Sequence, residues 1–135
     1  MAFTPDSVLV RSAIVSPVDF LVPGTTFLFS IPQGYIFTAV AGAQLTIVDS
    51  AGTGVGVFSV SAGTNATSYN NLYSSLSPSL AQLTGNTVIP LTAQPRAVNA
   101  TSGSVNIYIS IVGIATGFTT LKGIFYMPYA LIKYP

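Results

Sequence analysis

The sequence contains no cysteine, no histidine, no tryptophan and no glutamate, and only four basic and three acidic residues among 135. Each absence removes a class of chemistry. Without cysteine there is no disulfide, thiol nucleophile or thiolate metal site. Without histidine or glutamate, general acid–base work would fall to three aspartates, two lysines and seven tyrosines. Asp6, Asp19 and Asp49 are far apart; the first two sit near prolines in turns and the third closes a strand. A serine nucleophile paired with Lys122 or Lys133 would need a local motif that the chain lacks. No Asp-x-Asp or EF-type loop gathers oxygens for a hard cation. The expectation is a protein that is not an enzyme and uses no metal and no cofactor.

Positive charge is equally scarce. Arg11, Arg96, Lys122 and Lys133 stand singly, so no stripe exists to displace counterions from a phosphate backbone, and nucleic acid is not an expected partner. The opening Met1-Ala2-Phe3-Thr4-Pro5-Asp6 lacks the basic and apolar regions of a secretory signal, which points to synthesis in the cytoplasm. Long apolar runs are missing too. The most apolar stretch, Val105 to Phe118, is broken by Asn106, Ser110, Gly113, Thr116 and Gly117 and falls short of the ~20 residues a membrane helix needs, so no membrane is expected.

What is present is apolar and β-forming. Half of the residues are hydrophobic and 5% are charged, a balance that excludes a disordered chain. A surface with so few charges must be covered by Ser, Thr, Asn, Gln, Gly, Tyr and apolar side chains. Much of it is therefore expected to lie in contacts between subunits.

Period-two alternation dominates. In Ser104 to Val112, Val105, Ile107, Ile109 and Ile111 point one way and Asn106, Tyr108 and Ser110 the other, which defines a strand with one buried face. The same reading sets Phe27, Phe29 and Ile31 against Thr26, Leu28 and Ser30, and Leu45 and Ile47 against Gln44 and Thr46. Val8 to Val15, Tyr35 to Val40, Val55 to Ser61, Thr87 to Leu91, Arg96 to Ala100 and Leu121 to Met127 complete about nine strands. Turn signals such as Val22-Pro23-Gly24, Ile31-Pro32-Gln33-Gly34 and Thr101-Ser102-Gly103 separate them at short intervals. Tyr69 to Leu83, with leucines at three- and four-residue spacing around Pro78, reads as a long excursion with one helical turn. Pro128 removes a ladder donor, so the last segment is either an edge strand or a strand that changes partner there. No linker or composition break divides residues 1–135, and the fold expected is all-β: a single β-sandwich domain, jelly-roll-like.

Three motifs carry less than they suggest. Gly52, Gly54 and Gly56 lack the spacing and the following helix of a nucleotide-binding loop and read as a turn or bulge. Asn65-Ala66-Thr67 and Asn99-Ala100-Thr101 match a glycosylation pattern but read as turn chemistry. Tyr69 and Tyr73 are candidates for stacking a sugar ring. The cluster Tyr126, Met127, Tyr129, Leu131 and Tyr134 is denser than a core requires and is expected to be a protein interface.

The layout resembles a known group. Phe27-Leu-Phe-Ser-Ile-Pro-Gln-Gly-Tyr-Ile36, then a Gly/Asn/Thr-rich loop region, then Val105-Asn-Ile-Tyr-Ile109 and Gly123-Ile-Phe-Tyr-Met127 before an apolar tail, is similar to small tailed-bacteriophage virion proteins, some of which decorate the capsid surface. The resemblance implies a capsid decoration (cement) protein, jelly-roll-like and homotrimeric. Its partner would be the major capsid protein, and its place the outer shell between capsomers of the virion, after synthesis in the host cytoplasm. Members of that group often carry acidic residues after the Ile-Pro-x-Gly strand, and this chain has almost none. Two alternatives stand beside it: a carbohydrate-binding or adhesion module of a virion fibre, and a coat protein that assembles by itself.

Overall fold

The computed structural model describes residues 9–55, 58–66, 68–83, 88–92, 97–113 and 116–133. The alternating segments form ten strands: β1 (Leu9–Asp19), β2 (Gly24–Ile31), β3 (Tyr35–Ala39), β4 (Gln44–Val55), β5 (Phe58–Gly63), β6 (Tyr73–Leu76), β7 (Val88–Pro90), β8 (Ala97–Asn99), β9 (Val105–Gly113) and β10 (Thr116–Lys133). Between β6 and β7 a single 3₁₀ turn, Leu80–Leu83, is the helical element expected in the long excursion. No α-helix occurs among the described residues.

Pairing is antiparallel throughout and makes two sheets. In the larger, the 18-residue β10 is the axis: β1 runs along one side of it for eleven residues. Along its other side β4 pairs with Thr116 to Tyr126, and β3 takes over at Tyr129 to Lys133. Beyond them β7 pairs with β4 and β8 with β3. The smaller sheet has the order β2-β9-β5-β6. Counting β3 with β4 and β7 with β8 as segments of one strand position each, two four-position sheets exchange the chain as β1, β3/β4, β7/β8, β10 and β2, β5, β6, β9. That is the jelly-roll topology of paired Greek keys.

Pro128 explains the change of partner in β10. Its carbonyl accepts a hydrogen bond from the Val40 N–H at 3.1 Å, so its backbone faces the β3/β4 side, where both polar groups of a strand residue point together. The missing N–H therefore falls at the Val40 to Ala43 break between β4 and β3 and interrupts neither the β1 ladder nor a continuous strand.

One apolar cluster joins the sheets. Ile107, Ile109 and Ile111 of β9 and Leu45 and Ile47 of β4 point inward as the alternation predicts. Rings cross the gap: Phe29 of β2 lies 5.1 Å from Tyr129 of β10 and 6.4 Å from Phe37 of β3, and Tyr73 of β6 meets Phe125 of β10 edge-on at 6.4 Å. At one end of the sandwich Phe20 fills the space left by Gly123, where an added Cβ would stand 2.8 Å from the Phe20 ring and 2.6 Å from the Thr46 carbonyl. Gly123 is thus fixed by packing rather than by its dihedral angles.

The alternation fails at one predicted strand. A bulge lies between Phe27 and Phe29, so that Phe29 and Ile31 turn inward while Phe27 turns out, 54% exposed, and packs edge-on against Tyr108 at 6.0 Å. The expected common face of Phe27, Phe29 and Ile31 is corrected accordingly.

Candidate functional site

The larger sheet has an outer face built from one residue in two. On β10 the inward set is Leu121, Gly123, Phe125, Met127, Tyr129 and Leu131, and the outward set begins Lys122, Ile124, Tyr126. Register aligns Val15 of β1 with Tyr126 and then Gln44 of β4 and Pro90 of β7. The next row is Pro17, Ile124, Thr46 and Val88. Val15 (63% exposed), Val88 (52%), Ile124 (38%) and Tyr126 (37%) are all large and accessible. Cross-strand neighbours of this kind stand within van der Waals reach, so Val15, Pro17, Ile124 and Tyr126 present one apolar surface on β1 and β10, and Gln44 and Thr46 of β4 divide it from Val88 and Pro90 of β7.

Beside it the third row carries charge. Asp19, Lys122 and Asp49 follow one another across β1, β10 and β4. A register shift between Lys122 and Gly123 inserts Val48 as an extra residue, so Val48 and Asp49 are both exposed. Pro17, Asp19, Val48, Lys122, Gly123 and Ile124 are among the residues that line a shallow depression. Asp19 and Asp49 flank a lysine and do not converge as a carboxylate pair; Asp6 lies outside the described residues.

Of the five residues expected to form a protein interface, the four that are described divide between the two faces. Tyr126 is on the outer surface; Met127, Tyr129 and Leu131 are buried in the sandwich core, with Met127 wholly inaccessible. The period of two in β10 separates them, since residues 127, 129 and 131 share the inward face. On the surface of the folded subunit Tyr126 has Val15 beside it, with Pro17 and Ile124 in the next row. Tyr134 lies outside the described residues.

The smaller sheet presents a different surface. The segment after β5 folds back over it: the Ser61 hydroxyl donates to the Ser68 carbonyl at 3.3 Å, and Tyr69 packs against Tyr108 at 5.0 Å. Asparagines fix this loop. Asn71 accepts from the Thr64 N–H at 2.7 Å and donates to the Thr64 hydroxyl at 2.8 Å, while Asn65 accepts from the Asn70 N–H at 2.9 Å. Asn65 thus serves the turn role read from the sequence. Tyr69 holds a φ of 47° inside this network.

Tyr73 is not available to stack a sugar. It is fully buried, its hydroxyl donates to the Val40 carbonyl at 3.3 Å across the sandwich, and burial pushes its pKa up to about 12. Gly52 and Gly54 lie within β4, and at Gly52 a Cβ would meet the Gly117 carbonyl at 2.5 Å and the Phe118 Cα at 3.0 Å. That close approach at an irregular stretch of the β4–β10 pair accounts for the glycine at position 52.

No protein-family model matches the sequence, and no curated protein matches it. Solved structures do match in fold. One chain of the cyanophage Pam1 capsid asymmetric unit superposes with a TM-score of 0.58 at 15% identity, over 100% of this chain and 91% of that one. One chain of the acidic stable capsid of Helicobacter pylori bacteriophage KHP30 superposes with a TM-score of 0.57 at 18% identity, over 95% of this chain and 99% of that one. The protein shares the all-β sandwich of these phage capsid chains, and the likeness spans nearly the whole of each.

Proposed function

We propose that this protein is a bacteriophage capsid decoration protein, which attaches to the major capsid protein on the outside of the shell, bridges neighbouring capsomers and stabilises them. The observation that carries the reading is the likeness, end to end, to two chains of phage capsids, each about the size of this one. The outer face of the larger sheet supplies a means of attachment. Val15, Pro17, Ile124 and Tyr126 adjoin one another there, with Val88 two strands away beyond Thr46, and an apolar surface of this kind gains by being covered.

Attachment by this face draws on apolar burial, at roughly 25 cal/mol per Å² before the costs of association. Because the contacts exist only on an assembled shell, binding stabilises that shell by mass action. The scarcity of charge fits the same role, since a surface covered by neighbours needs few solubilising groups. Homotrimers are the arrangement implied by the resemblance to decoration proteins, with synthesis in the host cytoplasm before attachment to the virion.

The experiment is addition of purified protein to undecorated shells, followed by calorimetry of shell disruption. A raised disruption temperature that saturates with added protein supports the reading. Closed particles formed by this protein alone would identify it as a coat protein instead.

A further inference from the structure

From the free edge of β1 we infer that this strand pairs with the β1 of a second copy, about a two-fold axis at Val15, to make one sheet across two subunits. No described strand pairs with the outer edge of β1, although the strand is eleven residues long. An edge of that length is a template for another chain, and Arg11, Pro17 and Asp19 along it are of the kind that blunt edges, so pairing is confined to a register that accommodates all three.

The direction of its polar groups follows from one hydrogen bond. The Phe20 N–H donates to the Leu121 carbonyl at 2.9 Å, and the β1–β10 register runs without a shift from Asp19 back to Leu9. Even-numbered residues therefore bond to β10, and Leu9, Arg11, Ala13, Val15, Pro17 and Asp19 turn their backbone groups to the free edge. Pro17 is in this outward set, so the donor it lacks is missing from the free edge and not from the β10 ladder.

Two copies of the edge can meet antiparallel in several registers, and charge selects among them. Pairing centred on Val15 sets the position of each Arg11 opposite Asp19 of the other copy and Ala13 opposite Pro17, whose carbonyl accepts from the Ala13 N–H. Pairing centred on Ile14 sets Arg11 opposite Pro17, and pairing centred on Ala13 sets it opposite Val15. Only the first brings opposite charges across the strands.

That register also completes a row already present. Asp49, Lys122 and Asp19 alternate in sign across β4, β10 and β1, and the row ends on a negative residue at the free edge. Arg11 of the second copy takes the next place. The contact is isologous, each copy giving the other what it receives. It leaves the apolar outer face uncovered and continues it over two subunits.

The inference stands apart from the capsid reading, because it is tested on purified protein without shells, and its two-fold contact is a different interface from the one that would close a trimer. Since the chain has no cysteine, Val15→Cys introduces the sole thiol. In the proposed register the two Val15 Cα atoms lie ~5.5 Å apart, within the range a disulfide spans. Val112→Cys is the control, being equally exposed at 63% but on the other sheet. Under mild oxidation Val15→Cys should crosslink at least about tenfold faster than the control, and the product should stop at two chains. Arg11→Asp should slow that crosslinking, and Arg11→Asp with Asp19→Arg should restore it. Equal rates for the two cysteine variants would overturn the inference, as would crosslinking indifferent to the charge at position 11.

Discussion

Val15 and Tyr126 stand opposite each other in the β1–β10 ladder with both side chains on the outer surface, while Ile14 and Met127, one residue along each strand, are paired inside the core. One ladder therefore separates a surface that can bind from a core that can only fold. Tyr126→Ser should weaken attachment to shells at least about tenfold and shift stability by less than ~0.5 kcal/mol, since surface substitutions usually cost little. Met127→Ala should do the reverse, costing about 2–5 kcal/mol through the cavity it leaves. Denaturant melts and shell co-sedimentation of both variants check the pair.

Tyr73 predicts a pH effect that belongs to the fold. Its pKa rises from 10.0 to about 12 in the folded protein because burial penalises the phenolate. The unfolded chain thus loses this proton first as pH rises, so the contribution is complete below 10 and declines as pH passes from 10 towards 12. Tyr73→Phe should remove this part of the alkaline loss. At neutral pH it should cost about 1 kcal/mol for the hydrogen bond to the Val40 carbonyl. Melting the two proteins at pH 8 and at pH 11 measures both effects, and parallel losses would contradict the assignment.

Gly123 predicts a steric effect. A methyl group there meets the Thr46 carbonyl and the Phe20 ring below 3.0 Å, and the carbonyl cannot move without the β4–β10 ladder. Gly123→Ala should destabilise by about 1–3 kcal/mol. Gly123→Ala together with Phe20→Leu should relieve only the clash with the ring. Denaturant unfolding of the single and double variants checks this.

Period-two reading served best where one face was polar, as in β9, and worst where both were apolar. In β10 the outward set Ile124, Tyr126, Pro128, Ala130 and Ile132 is nearly as hydrophobic as the inward set. The tail therefore reads as one dense cluster, and Met127, Tyr129 and Leu131 are grouped with Tyr126 although the same alternation, carried on from Leu121, parts them. The bulge after Phe27 leaves no signature in composition. β6 is four residues long and contributes Tyr73 and two serines, too little to register as a strand. Pro128 was legible in part: a missing donor marks either an edge or a change of partner, and the long ladder to β1 on the other side leaves the change of partner.

The capsid reading is tested most directly by co-sedimentation of purified protein with undecorated shells from about 50 mM to about 1 M salt. With Val15, Pro17, Val88, Ile124 and Tyr126 making the contact, few charges are available to be screened, and the bound fraction should change little over that range. Release at high salt, or no binding at any salt, would contradict attachment through the apolar face of the larger sheet.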